Sequence, residues 1–185
     1  MKVGSGRGDL RELTASAHAL LDATVGPLDT RAAYRRYLLG LDGFRGAAER
    51  WLAQAPMPDG FADWRPTRIT DHLAADLTDL GVDARPGTEL DFDETPSAAA
   101  GVAYVLEGSA LGGRIIERQA LSLGFDARNG ARHLAAQGNS LVNWRGFLDR
   151  LERAEPFDLT TAAEAATMAF RAATDAFESL DHVPA

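Results

Sequence analysis

Apolar residues recur along most of the chain at three- and four-residue spacing, and no segment shows a sustained alternation of β-branched residues. The spacing predicts a first helix from about Asp9 to Val25, with Leu10, Leu13, Ala17, Leu20, Leu21 and Val25 as its apolar members. Thr30 stands where it can cap a second helix, read through Tyr34, Tyr37, Leu38, Leu41 and Phe44 towards Gln54. Pro56, Pro58, Gly60 and Pro66 mark a turn-rich connection. Thr70 then caps a short helix that stops at Gly81. Residues 82–95 read as a polar loop containing Pro86 and Gly87. A long helix is predicted from Pro96 to Leu123, closed by Gly124 and followed by a looser segment to about Asn139. Another helix carries Leu141, Trp144, Phe147, Leu148 and Leu151 until Pro156 breaks it. The last begins near Asp158 or Thr160 and carries Ala163, Ala166, Phe170, Ala173 and Phe177. Some six helices without strands predict one all-α, single-domain bundle over residues 9–185, preceded by a flexible N-terminal segment, residues 1–8.

Composition leaves that architecture in place and narrows the function. The 185 residues are 45% hydrophobic and 25% charged, within the globular range. Nineteen basic against 27 acidic residues give a net charge of −8, the wrong sign for a protein that neutralises phosphates, so no nucleic-acid partner is expected. The longest apolar stretch, Ala98 to Leu106, falls short of the roughly 18 residues that span a bilayer. The glycine-rich start, Met1 to Asp9, lacks the apolar segment of a signal peptide, and a cytoplasmic protein with no membrane partner is expected. Without cysteine there is no disulfide framework, zinc knuckle or thiol nucleophile, which fits a reducing compartment.

Several familiar chemistries are missing. There is no Glu-x-x-His pair for a di-iron bundle and no His-Glu-x-x-His for a helical zinc protease. Gly108 to Gly113 has phosphate-loop spacing, but Arg114 and Ile115 replace the required Lys and Ser/Thr. Two other features carry information. Gly108, Gly112 and Gly113 fall within six residues of the long predicted helix, at a cost of about 1 kcal/mol each relative to alanine. Gly108 and Gly112 share a face, which suits either close packing of another helix or a flat ligand lying on bare backbone. On the first helix, Arg11 and His18 project from one edge, about 10 Å apart along the axis. A histidine at the border of an apolar stripe is ordinarily structural. Joined to an apolar slot and rim arginines, it is also what a haem with two carboxylates requires.

The segment Leu10-Arg11-Glu12-Leu13-Thr14-Ala15-Ser16-Ala17-His18 resembles the first-helix motif of haem oxygenases. Tyr104-Val105-Leu106-Glu107-Gly108-Ser109-Ala110-Leu111-Gly112-Gly113 resembles their distal-helix motif, particularly in bacterial, phytochrome-associated members. Trp144-Arg145, Phe170 and Phe177 fall where the family has an aromatic-Arg pair and two phenylalanines near the haem. The resemblance implies a haem-oxygenase-like helical domain over residues 9–185, with His18 as the iron ligand and Asp22 orienting its ring. It implies that Gly108, Ser109, Gly112 and Gly113 form the distal side, and that Tyr104, Phe170 and Phe177 wall the pocket. Ser109 stands where the mammalian branch has an aspartate. Arg11 and Arg145 would pair with the propionates, Arg114 and Arg132 being alternatives; Leu141 replaces the family's lysine one turn before Arg145.

The implied activity is oxidation of haem with O2 and external electrons to biliverdin, carbon monoxide and ferrous iron. A bare distal helix would steer dioxygen towards the ring edge, while ordered water supplies protons. The electrons would come from a ferredoxin or reductase, since the chain has no flavin or cluster motif, and a phytochrome is a candidate bilin acceptor. The alternatives are a non-catalytic haem carrier or sensor on the same fold, and a helical interaction protein in which His18 is structural. The Glu49/Arg50 and Glu152/Arg153 neighbours read as solvated faces; His72, His133 and His182 show no partner at ligand spacing.

Overall fold

A computed structural model describes residues 6–84, 87, 90–138 and 141–181. Within them are eight helices in chain order: α1 (Gly6–Val25), α2 (Arg31–Leu52), α3 (Thr70–Asp79), α4 (Pro96–Gly108), α5 (Ala110–Ser122), α6 (Arg132–Gly138), α7 (Leu141–Leu151) and α8 (Leu159–Asp181). Only isolated bridges occur among the described residues, so the fold is all-α, as the periodicity predicts. The N-terminal expectation falls partly outside these residues, since α1 already begins at Gly6. Pro86, Asn139 and His182 also lie outside them.

Local chemistry explains the helix ends. The Thr30 hydroxyl accepts from the Ala33 amide at 3.1 Å and opens α2, as predicted. Thr95 caps α4 in the same way, with Pro96 in the first turn. Beyond α3, Gly81 takes φ +63°; its amide reaches Thr78 while the Val82 amide reaches back to Leu77. Gly124 repeats the arrangement after α5 at φ +87°. Both are left-handed helix endings that glycine adopts without steric cost.

α8 lies at the centre, packed by α1, α2 and α4. Its face towards α4 is made of small residues, with Ala162, Ala165, Ala166 and Ala169 buried opposite Ala98, Ala99 and Ala103. A Cβ placed on Gly101 would stand 2.1 Å from the Ala162 carbonyl oxygen, so the two backbones are nearly in contact. This alanine seam leads into the larger apolar cluster, which also takes in Phe147, Leu148 and Phe170. A second cluster gathers Tyr34, Leu38, Leu73, Leu77, Leu134 and Phe177. There α3 and α6 are joined by Asp76, whose buried carboxylate accepts from the Arg132 and His133 amides and from His133 Nδ1.

Five expectations need correction. The single long helix from Pro96 to Leu123 is interrupted at Ser109, where serine beside glycine weakens the ladder. The looser segment contains α6, a seven-residue helix too short and polar to announce itself by periodicity. Thr70 does not cap α3: Ile69 holds the cap position, and the Thr70 hydroxyl donates instead to Glu49 at 2.6 Å. Glu49 is buried at 4% exposure, not on a solvated face. His133 is fully buried and has a partner, Asp76 at 2.8 Å.

Candidate functional site

The α4–α5 break organises one half of the predicted site. Gly108 ends α4 with its bare face against the Trp144 indole of α7, 3.6 Å from where a Cβ would be. Gly113 similarly faces the Gln137 side chain of α6 at 3.6 Å. Gly112 differs, since nothing lies within 4 Å of its Cβ position. The two explanations for the glycines therefore divide: side chains pack on Gly108 and Gly113, while Gly112 leaves main chain open. The Tyr104 ring lies 5.5 Å from that of Trp144, so Tyr104, Gly108 and Trp144 form one wall.

Between α5 and α7 lies an open groove of about 400 Å³, lined by Leu111, Leu141, Trp144, Arg145, Leu148 and Asp149. Arg145 belongs to this lining and His18 does not. Leu111 and Ile115, one turn apart on α5, are 58% and 59% exposed, an apolar strip beside the groove. Arg114 is exposed on the same helix.

The other half sits on α1 and α8. His18 Nδ1 lies 3.0 Å from the Asp22 carboxylate one turn on, so the carboxylate engages one of the two ring nitrogens. The imidazole meets Phe170 of α8 edge-on, centroids 5.3 Å apart, and its side chain remains 59% exposed. Arg11 is exposed on the same helix. Phe177 is not gathered with this group. It lies in the second cluster against Gly40, its ring atoms as close as 2.4 Å to that residue's Cβ position. Arg132 is also committed elsewhere, paired with Asp76 and Asp79.

Sequence reasoning missed the polar group behind the break. The Arg45 side chain, 1% exposed, donates through Nε to Glu49 at 2.8 Å and through Nη2 to the Thr67 carbonyl at 2.9 Å. Its Nη1 reaches the Leu106 carbonyl at 2.9 Å and the Ser109 hydroxyl at 3.3 Å. Glu107, also 1% exposed, accepts from the Thr67 amide and hydroxyl and from Asn143. Burial raises its carboxyl above the usual range, against the opposing pull of these donors and Arg45. The only sequence signal was the four-residue Arg45–Glu49 spacing, which ordinarily marks a surface pair.

The residues present suit haem on three structural counts: an imidazole whose second nitrogen is held by a carboxylate, bare backbone at Gly112, and an apolar groove with an arginine at its edge. No helix among the described residues is long and apolar enough to cross a membrane.

No protein-family model matches the chain. It is 28% identical over 174 residues to haem oxygenase PigA of Pseudomonas aeruginosa, covering 91% of this chain and 85% of that protein. The fold is similar to that of the NO- and CO-bound haem oxygenase from Neisseria meningitidis, with a TM-score of 0.77 at 23% identity, over 99% of this chain and 95% of the other. The chain is thus similar in sequence to one haem oxygenase and in fold to another, in each case over most of its length.

Proposed function

We propose that this protein is a haem oxygenase, converting haem with O2 and external electrons to biliverdin, carbon monoxide and ferrous iron. The likeness to PigA over 174 residues carries the proposal, and the site geometry supports it. Haem is the substrate and supplies the iron at which dioxygen reacts. His18 ligates that iron through Nε2, and Asp22 keeps the proton on Nδ1 and fixes the ring's orientation. Phe170 braces the imidazole edge. Gly112, with Gly108 and Gly113, presents main chain to the opposite face of the ring, and Tyr104 stands beside it. Arg145 and Arg11 hold the propionates at the rim. Phe177 acts from behind, through its packing on α2.

The Ser109 hydroxyl donates to Leu106 at 2.6 Å and accepts from Gln137 at 3.0 Å. Its single hydrogen is thereby used within the helix, and protons reach the site through ordered water. The chain's own residues carry no redox group, so a ferredoxin or reductase supplies electrons, and a phytochrome is a fitting acceptor for the bilin. A chain without cysteine suits the reducing cytoplasm.

The test is to mix the purified protein with haemin and oxygen, using ascorbate or a ferredoxin system as donor. Loss of the Soret band with growth of a broad red bilin absorption is expected. A Soret band that persists under reductant and oxygen overturns the assignment in favour of a carrier. Arg145→Glu is expected to weaken haem binding or shift the bilin isomer; if neither changes, Arg145 does not hold a propionate.

A further inference from the structure

We infer that Arg45 is a positioning residue for this reaction, clamping the α4–α5 break from inside the bundle and so setting where the bare backbone at Gly112 lies over the ring. The inference rests on the proposed haem chemistry for its functional part, and on geometry alone for the clamp.

An arginine is almost never fully buried without partners, because desolvating its charge is costly. Here every nitrogen of the guanidinium has an acceptor. Nε takes Glu49, Nη2 takes the Thr67 carbonyl, and Nη1 takes Leu106 and Ser109. The last two acceptors belong to the turn in which α4 ends. Ser109 donates back to the same Leu106 carbonyl, a bond from serine to the preceding turn that bends helices. With Gln137 also donating to it, the Ser109 hydroxyl has its one donor and both acceptor sites filled. Three elements thus meet at the residue between Gly108 and Ala110: α2 through Arg45, α6 through Gln137, and α4 itself.

Glu49 anchors the other end of the clamp. Besides Arg45, it accepts from the Ile69 amide at 2.9 Å and the Thr70 hydroxyl at 2.6 Å, so it cannot follow if Arg45 moves. The chain between Pro66 and Thr70 is therefore stitched to α2 by Glu49 and to α4 by Glu107, with Thr67 bonded to both Arg45 and Glu107. A planar fork with fixed donor directions can serve these acceptors together, whereas a lysine ammonium cannot reach all of them. Three glycines within six residues would otherwise leave the backbone conformation loose at the place where the proposed reaction needs it defined.

The experiment compares Arg45→Lys with wild type, and uses Arg128→Gln as a control that breaks an exposed ion pair to Asp126. In protein without haem, amide hydrogen exchange over residues 109–113 is expected to accelerate at least tenfold in Arg45→Lys, with α8 unchanged. In haem-loaded ferrous protein, the carbon monoxide stretching band is expected to broaden or shift, and the bilin isomer ratio to change at least twofold. Arg128→Gln moves none of these. If Arg45→Lys does not fold, the Arg45→Gln/Glu49→Gln double variant, which removes both buried charges, is read the same way. Wild-type exchange, carbon monoxide band and isomer ratio in the folded variant overturn the inference. If wild type makes no bilin, the functional reading fails, while the exchange measurement still decides whether the clamp exists.

Discussion

Gly112→Ala separates the needs of the fold from those of the proposed reaction. Nothing lies within 4 Å of the added methyl, so it meets no steric resistance from the protein. An exposed helical glycine replaced by alanine gains about 0.5 to 1 kcal/mol. In a chain of this length that raises the melting temperature of the haem-free protein by about 1 to 4 °C. The same methyl stands between the α5 backbone and a macrocycle resting on it. A gap of about 0.5 to 1 Å already forfeits a quarter to a half of a van der Waals contact, and a flat ring loses many contacts together. Haemin affinity is expected to fall about tenfold, equivalent to about 1.4 kcal/mol, with a changed isomer ratio. Thermal melts followed by circular dichroism give the first quantity, and titration at the Soret band gives the second. A variant with unchanged haemin affinity and products refutes the placement of Gly112 over the ring. One that melts lower without haem refutes the open environment described for it.

Three further perturbations follow from the same geometry. Gly101→Ala forces a methyl to within 2.1 Å of the Ala162 carbonyl and should destabilise by about 3 kcal/mol or more, seen as a lower urea midpoint; a wild-type midpoint contradicts the close α4–α8 approach. His18→Ala should abolish ordered iron ligation in the haemin spectrum while leaving the melt without haem nearly unchanged, because the side chain is mostly exposed; an unaltered spectrum removes His18 as ligand. Burial holds the His133 imidazole below its ordinary value against the opposing pull of Asp76. The unfolded chain therefore takes up a proton below about pH 6.5 that the folded chain refuses, and stability is lost as pH falls through and below that value. His133→Asn, which keeps an N–H for Asp76, should flatten that slope, and an equal slope in urea titrations counts against the assignment.

Helix existence was legible in the chain because each long helix has an apolar stripe, and ends marked by Thr30, Gly81, Pro96 and Gly124 were legible from local chemistry. What escaped were features decided by distant partners. Thr70 looks like a cap, but Glu49 draws its hydroxyl away, and nothing near Thr70 in the chain announces that. Arg45 and Glu49 read as a surface pair because the default place for two charges one turn apart is water; only α4 and the irregular segment around Thr67 make that face internal. In the candidate site, the resemblance pointed to His18, Asp22 and the glycine run, and the structure shows how their surroundings differ. Only Gly112 of the three glycines is uncovered, and Phe177 lies with the second cluster.

The seam of alanines between α4 and α8 has a mechanical consequence. Side chains of that size have no alternative rotamers with which to take up a displacement, and backbones already touching at Gly101 and Ala162 cannot draw nearer. The pair therefore serves as a stiff keel within the bundle. Any breathing needed to admit a large planar guest has to come from the elements hung upon it, α1 on one side and α5 with α7 on the other.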